Sequence, residues 1–216
     1  MEIESIGIIL AGGIGSRFRA DIPKQYCTIN GKEMIEYSIS AFRRSSVEEL
    51  VVVADESFEK YVQNKYSVKT VIGGKTRNQS LKNCLDYIKN EFGNCKKIVI
   101  NNAACPMITC EVIDELISTL DFYDYAQCTY KITDGLCSFS KGPVNRDDFF
   151  TVQTPEAFRF DLLYENFSPN NTNCVTSSQL PLEARGLNFF EFLPNVKITY
   201  PEDIEIVELL MKRRGY

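Results

Sequence analysis

The residues with the clearest chemical potential follow a short apolar run, Ile6 to Ile9, in the segment LAGGIGSRFRADIPKQY from Leu10 to Tyr26. Three glycines, Gly12, Gly13 and Gly15, leave the backbone bare enough for its N–H groups to approach phosphate oxygens closely. Two cations follow at fixed offsets, Arg17 and Lys24. A forked Arg donor and a Lys point charge are what a phosphoryl-type transfer needs where negative charge accumulates. A lone G-x-G-x-R also fits a glycine turn flanked by solvated cations. The added PKQY at 23 to 26 favours the phosphate reading and implies a loop that holds a nucleoside triphosphate.

Two other glycine motifs fail on spacing. The dinucleotide fingerprint G-x-G-x-x-G needs a glycine at position 18, where the chain has Phe18. Gly74-Lys75-Thr76 ends like a P-loop, but Lys69 stands where that motif needs its first glycine. The chain has no histidine, which removes His-based triads, His metal sites and imidazole acid/base chemistry. Its eight cysteines, at 27, 84, 95, 105, 110, 128, 137 and 174, never form C-x-x-C. They are expected to act as small buried hydrophobes in a reducing compartment rather than as a zinc site or disulfide framework.

These groups need a scaffold, and the first 125 residues supply one by alternating short β-branched runs with amphipathic helices. Strands are predicted at Ile6 to Leu10, Leu50 to Val53, Thr70 to Ile72 and Lys97 to Asn101. Leu81, Cys84, Leu85, Ile88 and Phe92 repeat at helical spacing with Gly93 as the expected C-cap, and Val112 to Leu120 do so after Thr109 as N-cap. The alternation predicts an α/β, Rossmann-like, mostly parallel sheet with helices on both faces. Ligands of such sheets bind beyond the carboxyl ends of the strands, where the glycine loop, Gly73-Gly74 and Asn101-Asn102 all fall. The pattern breaks at 133–150, which reads as a protruding β-arm. A polar loop, Pro169 to Gln179, and a final helix follow, the helix opened by Thr199 with Glu202 and by Pro201 in its first turn.

With 216 residues, 44% of them hydrophobic, one domain over 1–216 is expected. The net charge of -5 argues against a nucleic-acid surface. No apolar run approaches the roughly 20 residues of a membrane span. The start MEIESIGII has no signal-peptide layout, so a cytoplasmic protein without membrane partners is expected.

Six segments in order carry a wider resemblance: AGGIGSRF at 11 to 18, PKQY at 23 to 26, GGKTRNQS at 73 to 80, NNAACP at 101 to 106, NRDDFFTVQTPEAF at 145 to 158 and NVKITYPED at 195 to 203. Together they resemble the cytidylyltransferases that make CDP-linked polyols, whose fold is of the nucleotide-diphospho-sugar transferase type. The resemblance implies attack by a polyol phosphate on the α-phosphorus of CTP, with Mg2+ on the triphosphate and no dedicated protein metal site. It implies that Arg17, Lys24 and Lys197 stabilise the reacting phosphates, and that Ala11, Gly12, Gly13, Gly15, Gly74 and Ser80 hold the nucleotide. Asn102, Thr129, Arg146 and Thr176 match acceptor contacts, and Arg77 fits as a structural or phosphate-proximal cation. A homodimer is also implied, in which the arm crosses a two-fold axis so that Thr129 and Arg146 serve the partner's site.

The chain departs from this family at the acceptor. The signature HDAARP reads NNAACP here, so Asn102 lacks a negative charge and Cys105 cannot grip phosphate as a guanidinium does. Lys75 stands where an acidic residue is common, and Ser177-Ser178-Gln179 replaces a TDDAS-like sequence. The reading is therefore a CTP-dependent transfer to ribitol 5-phosphate or a related polyol phosphate, for surface polysaccharide synthesis. The alternatives are the methylerythritol 4-phosphate branch of isoprenoid synthesis, a sugar-phosphate nucleotidylyltransferase using another nucleotide, and a non-catalytic nucleotide-binding homologue.

Overall fold

The strand that leads into the glycine loop is apolar on both faces, and such a strand can sit only in the middle of a sheet covered on both sides. The computed structural model describes residues 3–13, 18, 22–173 and 175–215 and shows this arrangement. In chain order the elements are β1 (Ser5–Ala11), a small hairpin of β2 (Thr28–Ile29) and β3 (Lys32–Glu33), α1 (Met34–Arg44), β4 (Glu49–Ala54), α2 (Glu59–Tyr66), β5 (Lys69–Ile72), α3 (Arg77–Glu91) and β6 (Lys97–Asn102). Then come α4 (Cys110–Thr119), β7 (Tyr125–Lys131), β8 (Leu136–Ser138), β9 (Gly142–Val144), β10 (Phe150–Arg159), α5 (Phe160–Asn166), β11 (Gly186–Phe189) and α6 (Asp203–Arg214).

Seven strands form one sheet in the order β11-β7-β10-β6-β1-β4-β5. β1 pairs in parallel with β4 and β6, β4 with β5, and β7 with β11. Only β10 runs antiparallel, between β6 and β7, and its register shifts between Gln153 and Glu156 around the cis Thr154-Pro155 bond. On one face Ile9, Val52 and Val99 meet Ile35, Ile39 and Phe42 of α1 and Ile113 and Leu116 of α4. On the other, Ile6, Ile8, Val51, Val53 and Ile98 meet Leu81, Leu85 and Ile88 of α3 and Phe160 and Leu163 of α5. Gly7 is required by this packing, because a Cβ there would lie 2.5 Å from the Phe42 ring.

A third cluster closes over the carboxyl end of the sheet, where Phe18, Ile29 and Met34 pack with Ile198 and with Val207 and Met211 of α6. The cluster holds the NVKIT segment through Ile198, whose carbonyl accepts from Lys24 of PKQY. The Asn30-Gly31 turn of the β2–β3 hairpin has both residues at positive φ, the conformation a two-residue hairpin loop demands.

Thr109 caps α4, its hydroxyl accepting from Val112 N–H. Two other expected caps differ. α3 ends at Glu91 with Phe92 as its C-cap, and Gly93 is not left-handed, so its flexibility is not what stops the helix. At α6 the capping carboxylate is Asp203, which accepts from the N–H groups of Thr199 and Tyr200 at 2.7 and 2.8 Å; Thr199 and Glu202 form no capping box. The arm is the β8–β9 hairpin, paired only with itself among the described residues.

Candidate active site

The carboxyl ends of β6, β1, β4 and β5 form the floor of a cleft of about 570 Å³. Gly12 and Gly73 lie back to back over Ala54: a Cβ on Gly73 would stand 3.6 Å from the Gly12 Cα, and Gly73 N–H donates to Ala54 O at 2.8 Å. Gly74 has no room for a side chain, since a Cβ would lie 2.5 Å from Gln79 Cβ. Its N–H donates to Ser80 Oγ at 3.0 Å, which fixes the turn to the first turn of α3. Gln25 is buried and ties PKQY to the glycine loop by donating to the carbonyls of Ala11 and Gly13.

The cleft is electrically polar along the sheet. Lys24 Nζ donates to Ile198 O at 2.6 Å, while Ile198 N–H donates to Ala104 O at 2.8 Å, so both are held against the segment that follows β6. Lys197, next in the chain, is exposed and lines the same side. Asp55 and Glu56, directly after β4, line the other side. β6 and β4 are separated by β1, so the two charge types stand on opposite sides of the central strand. The cleft thus presents lysines at one end and Asp55, Gly74 and Ser80 at the other.

A second compartment of about 340 Å³ adjoins the first and shares Arg77, Asn102 and Lys197 with it. Cys105 and Thr154 form part of its wall, and Asn102 Nδ2 donates to Thr154 Oγ1 at 3.4 Å. Burial pushes the Cys105 thiol up, against the pull of a Thr154 hydrogen bond and of Lys197, Lys24 and Arg77. Asn195 braces the wall, donating to Thr154 O at 3.0 Å and accepting from Met107 N–H at 2.9 Å. Glu156 is 2% exposed; burial raises its carboxyl, opposed by Arg77 and by hydrogen bonds from Thr176 and Ser177.

Of the residues singled out in the sequence, Ala11, Gly12, Gly13, Lys24, Gly74, Ser80, Asn102 and Lys197 come together here. Gly15 and Arg17 lie outside the described residues. Three acceptor residues are not brought to the cleft. Thr176 is 1% exposed, its hydroxyl donating to Glu156 Oε1 at 3.0 Å and accepting from Arg77 Nη2 at 3.2 Å, so it stands behind the wall. Thr129 is buried within β7 and spends its hydroxyl on Phe189 O at 2.8 Å. Arg146 is exposed at the base of the arm and donates to Thr133 O. Gln25 and Glu156 were not singled out from the sequence, although both lie inside quoted motifs, PKQY and QTPEAF.

A largely parallel sheet whose central strand ends in a glycine loop, with lysines at one end of a nucleoside-sized cleft, defines an α/β nucleotidyltransferase. The profile of the IspD family, 2-C-methyl-D-erythritol 4-phosphate cytidylyltransferase, matches residues 6–213, and the chain belongs to this family. A 2-C-methyl-D-erythritol 4-phosphate cytidylyltransferase of Clostridium botulinum (strain 657) is 32% identical, covering 95% of this chain and 96% of that protein. A bifunctional ribulose 5-phosphate reductase/CDP-ribitol pyrophosphorylase of Haemophilus influenzae is 26% identical, covering 99% of this chain and 49% of that protein. In fold the chain is similar to 4-diphosphocytidyl-2C-methyl-D-erythritol synthase from Anaerococcus prevotii, with a TM-score of 0.81 at 18% identity over 99% of this chain and all of that one. The protein is thus a CTP-dependent cytidylyltransferase of the IspD type. No helix among the described residues is long and apolar enough to cross a membrane.

Proposed function

We propose that the enzyme transfers CMP from CTP to ribitol 5-phosphate or a related polyol phosphate, releasing pyrophosphate and a CDP-polyol, within a single domain. The observation that carries this reading is the pair of adjoining compartments with Lys197, Asn102 and Arg77 at their junction. CTP occupies the first with its α-phosphate at the junction, and the acceptor occupies the second. A phosphate oxygen of the acceptor forms a bond to the α-phosphorus as the bond to the β-phosphate oxygen breaks. The acceptor phosphate is largely dianionic at pH 7, so no base is needed to activate it. What remains is alignment and neutralisation of charge. Arg17 and Lys24 serve the triphosphate, and Lys197 holds the two reacting phosphates together.

Asn102 and Cys105 support the choice of acceptor, because the wall of the second compartment carries neither the acid nor the guanidinium that the family signature has at these positions. A second reading, with methylerythritol 4-phosphate as acceptor, is favoured by the 32% identity to the clostridial relative. Mg2+ belongs on the triphosphate. No three Asp, Glu, Cys or His side chains cluster as a cation site among the described residues, and the Asn102 side chain offers one neutral oxygen at the phosphate end of the cleft. That donor set fits a metal coordinated mainly by phosphate oxygens and water. When bound it neutralises phosphate charge and orients the oxygens.

The arm extends this reading to a homodimer. Phe139 at its tip is fully exposed, Phe149 and Phe150 at its base are partly so, and Arg146 sits between, a layout suited to a second copy whose site Arg146 completes. Pyrophosphate release from CTP and Mg2+ with ribitol 5-phosphate, methylerythritol 4-phosphate and glycerol 3-phosphate tests the function. Preference for ribitol 5-phosphate is expected. A strong preference for methylerythritol 4-phosphate establishes the second reading, and CTP binding without release under any acceptor marks a non-catalytic homologue.

A further inference from the structure

The polar loop that follows α5 is held from one side by α3. Its neck is closed where Ser168 N–H donates to Gln179 Oε1 at 2.8 Å, and Asn173 N–H turns back onto Asn171 Oδ1 at 2.8 Å. That turn brings two carbonyls to one side chain: Asn78 Nδ2 donates to Asn171 O at 2.5 Å and to Asn173 O at 3.2 Å. Asn78 lies in the first turn of α3 and is only 6% exposed, whereas Asn171 and Asn173 are exposed residues 93 and 95 positions further along the chain. Beside it Arg77 Nη2 donates to Thr176 Oγ1 at 3.2 Å, and Ser177 Oγ donates to Gln127 of β7 at 2.8 Å. Between these fixed points stands Val175, the one residue of the loop, among those described, that lines the second compartment.

We infer that Asn78 is a positioning residue for the acceptor: its amide pins the loop so that Val175 closes one wall of the second compartment. The inference rests on that compartment being the acceptor site. Asn78 lines neither compartment, so its effect runs through the loop. The side chain suits this task because one nitrogen carries two N–H bonds, one for each carbonyl. A hydroxyl has a single proton to give, and a carboxylate has none. The first turn of α3 thereby serves both halves of the site. Ser80 fixes the Gly74 turn of the nucleotide cleft, while Arg77 and Asn78 fix the loop beside the acceptor. The two tasks are separable, since Ser80 and Asn78 bond to different segments of the chain. A loop released from Asn78 spends only part of its time in the closed form, and the apparent affinity for the acceptor falls by that fraction.

The test uses the full chain, CTP, Mg2+ and whichever of ribitol 5-phosphate and methylerythritol 4-phosphate turns over faster. In Asn78→Ala the KM for the acceptor is expected to rise about tenfold or more, while kcat at saturating acceptor and the KM for CTP stay within about twofold of wild type. Asn78→Asp has nearly the same shape but offers the carbonyls no proton, so it should match or exceed that rise. A side chain that merely fills space would leave Asn78→Asp close to wild type. An acceptor KM within about twofold of wild type in Asn78→Asp therefore overturns the proposal. So does a KM for CTP that climbs in step with the acceptor KM, which would make Asn78 a brace for α3 as a whole. If either variant does not fold, Asn78→Ser, smaller and with one proton left, takes its place with an expected rise of about threefold or more; failure of all three to fold also assigns Asn78 to the fold and overturns the proposal. Absence of turnover with both acceptors refutes the acceptor reading itself, and the proposal with it.

Discussion

Adding one methyl group at each of two glycines separates what the fold needs from what the nucleotide needs. In Gly74→Ala the new Cβ would stand 2.5 Å from Gln79 Cβ and 3.1 Å from the Gln79 carbonyl carbon. Comfortable carbon contacts begin near ~3.5 Å, so the turn must retreat from α3 by about 1 Å. Overpacking of this kind costs about 1–3 kcal/mol. The Gly74 N–H to Ser80 Oγ bond, 3.0 Å long, is lost in the same movement, and removes about 1 kcal/mol more. For a chain of this length, about 2–4 kcal/mol corresponds to a fall in Tm of roughly 5–15 °C. A displacement of ~1 Å at a binding backbone also costs about 100-fold in the function it serves. Gly13→Ala is the counterpart: among the described residues a Cβ there meets nothing within 4 Å, and the backbone is not left-handed. Its Tm should stay within about 2 °C of wild type, yet the methyl group fills the path by which phosphate oxygens reach the backbone, and CTP should bind about 10-fold or more weakly. Calorimetric titration with CTP beside thermal melts reads both quantities. A folded Gly13→Ala protein with wild-type affinity for CTP would refute the phosphate-loop argument, and an unaltered Tm in Gly74→Ala would refute the steric one.

Three further outcomes follow from single side chains. Lys24→Ala should lower kcat/KM for pyrophosphate release by about 100-fold, or ~3 kcal/mol, with little change in Tm because the side chain is only half-buried; turnover within about threefold of wild type contradicts its role. Burial acts to raise the Glu33 carboxyl, but hydrogen bonds from Lys65, Tyr61 and Tyr66 outweigh it and hold the carboxyl below its ordinary value. Its stabilisation is therefore complete above the ordinary carboxylate range and is lost as pH falls through the lowered value. Glu33→Gln should cost about 1–2 kcal/mol in urea unfolding at pH 7, after discounting the exposed Lys65, and progressively less toward pH 3; an equal cost at both pH values contradicts the assignment. Cys137 on the exposed arm should be alkylated by iodoacetamide about tenfold faster or more than Cys105, whose thiol burial keeps neutral, and peptide mass spectrometry that finds Cys105 modified first would contradict the burial argument.

Much of this molecule is legible in the sequence because its signals are local. The four strands expected in the first half, the α4 cap at Thr109 and the hairpin arm lie where composition and periodicity put them, while the short β2–β3 hairpin lies outside those expectations. The cleft is legible for the same reason, since Gly12, Gly13 and Gly74 sit one or two residues beyond strand ends and Ser80 in the first turn of the helix that follows. The capping carboxylate of α6 is a near miss of the same local kind: an acid was expected three residues after Thr199 and is found four residues after it, where Asp203 reaches two N–H groups at once.

The acceptor side reads less well because the contacts that decide it are long-range. A motif names a residue and leaves open which way its side chain turns. Thr129 points to a carbonyl that arrives with β11, sixty residues further along the chain, and nothing near Thr129 signals that strand. Thr176 and Glu156 are gathered by Arg77 from α3, so a threonine that matches a substrate contact in sequence becomes the third member of a buried ion pair. The same reasoning explains why the charge gradient of the cleft emerges only with the sheet order. Lys24, Lys197, Asp55 and Glu56 are scattered in sequence, but placing β1 between β6 and β4 sets the lysines and the carboxylates on opposite sides of one glycine floor. The polarity of the cleft is therefore a property of strand order, which no single segment of the sequence carries.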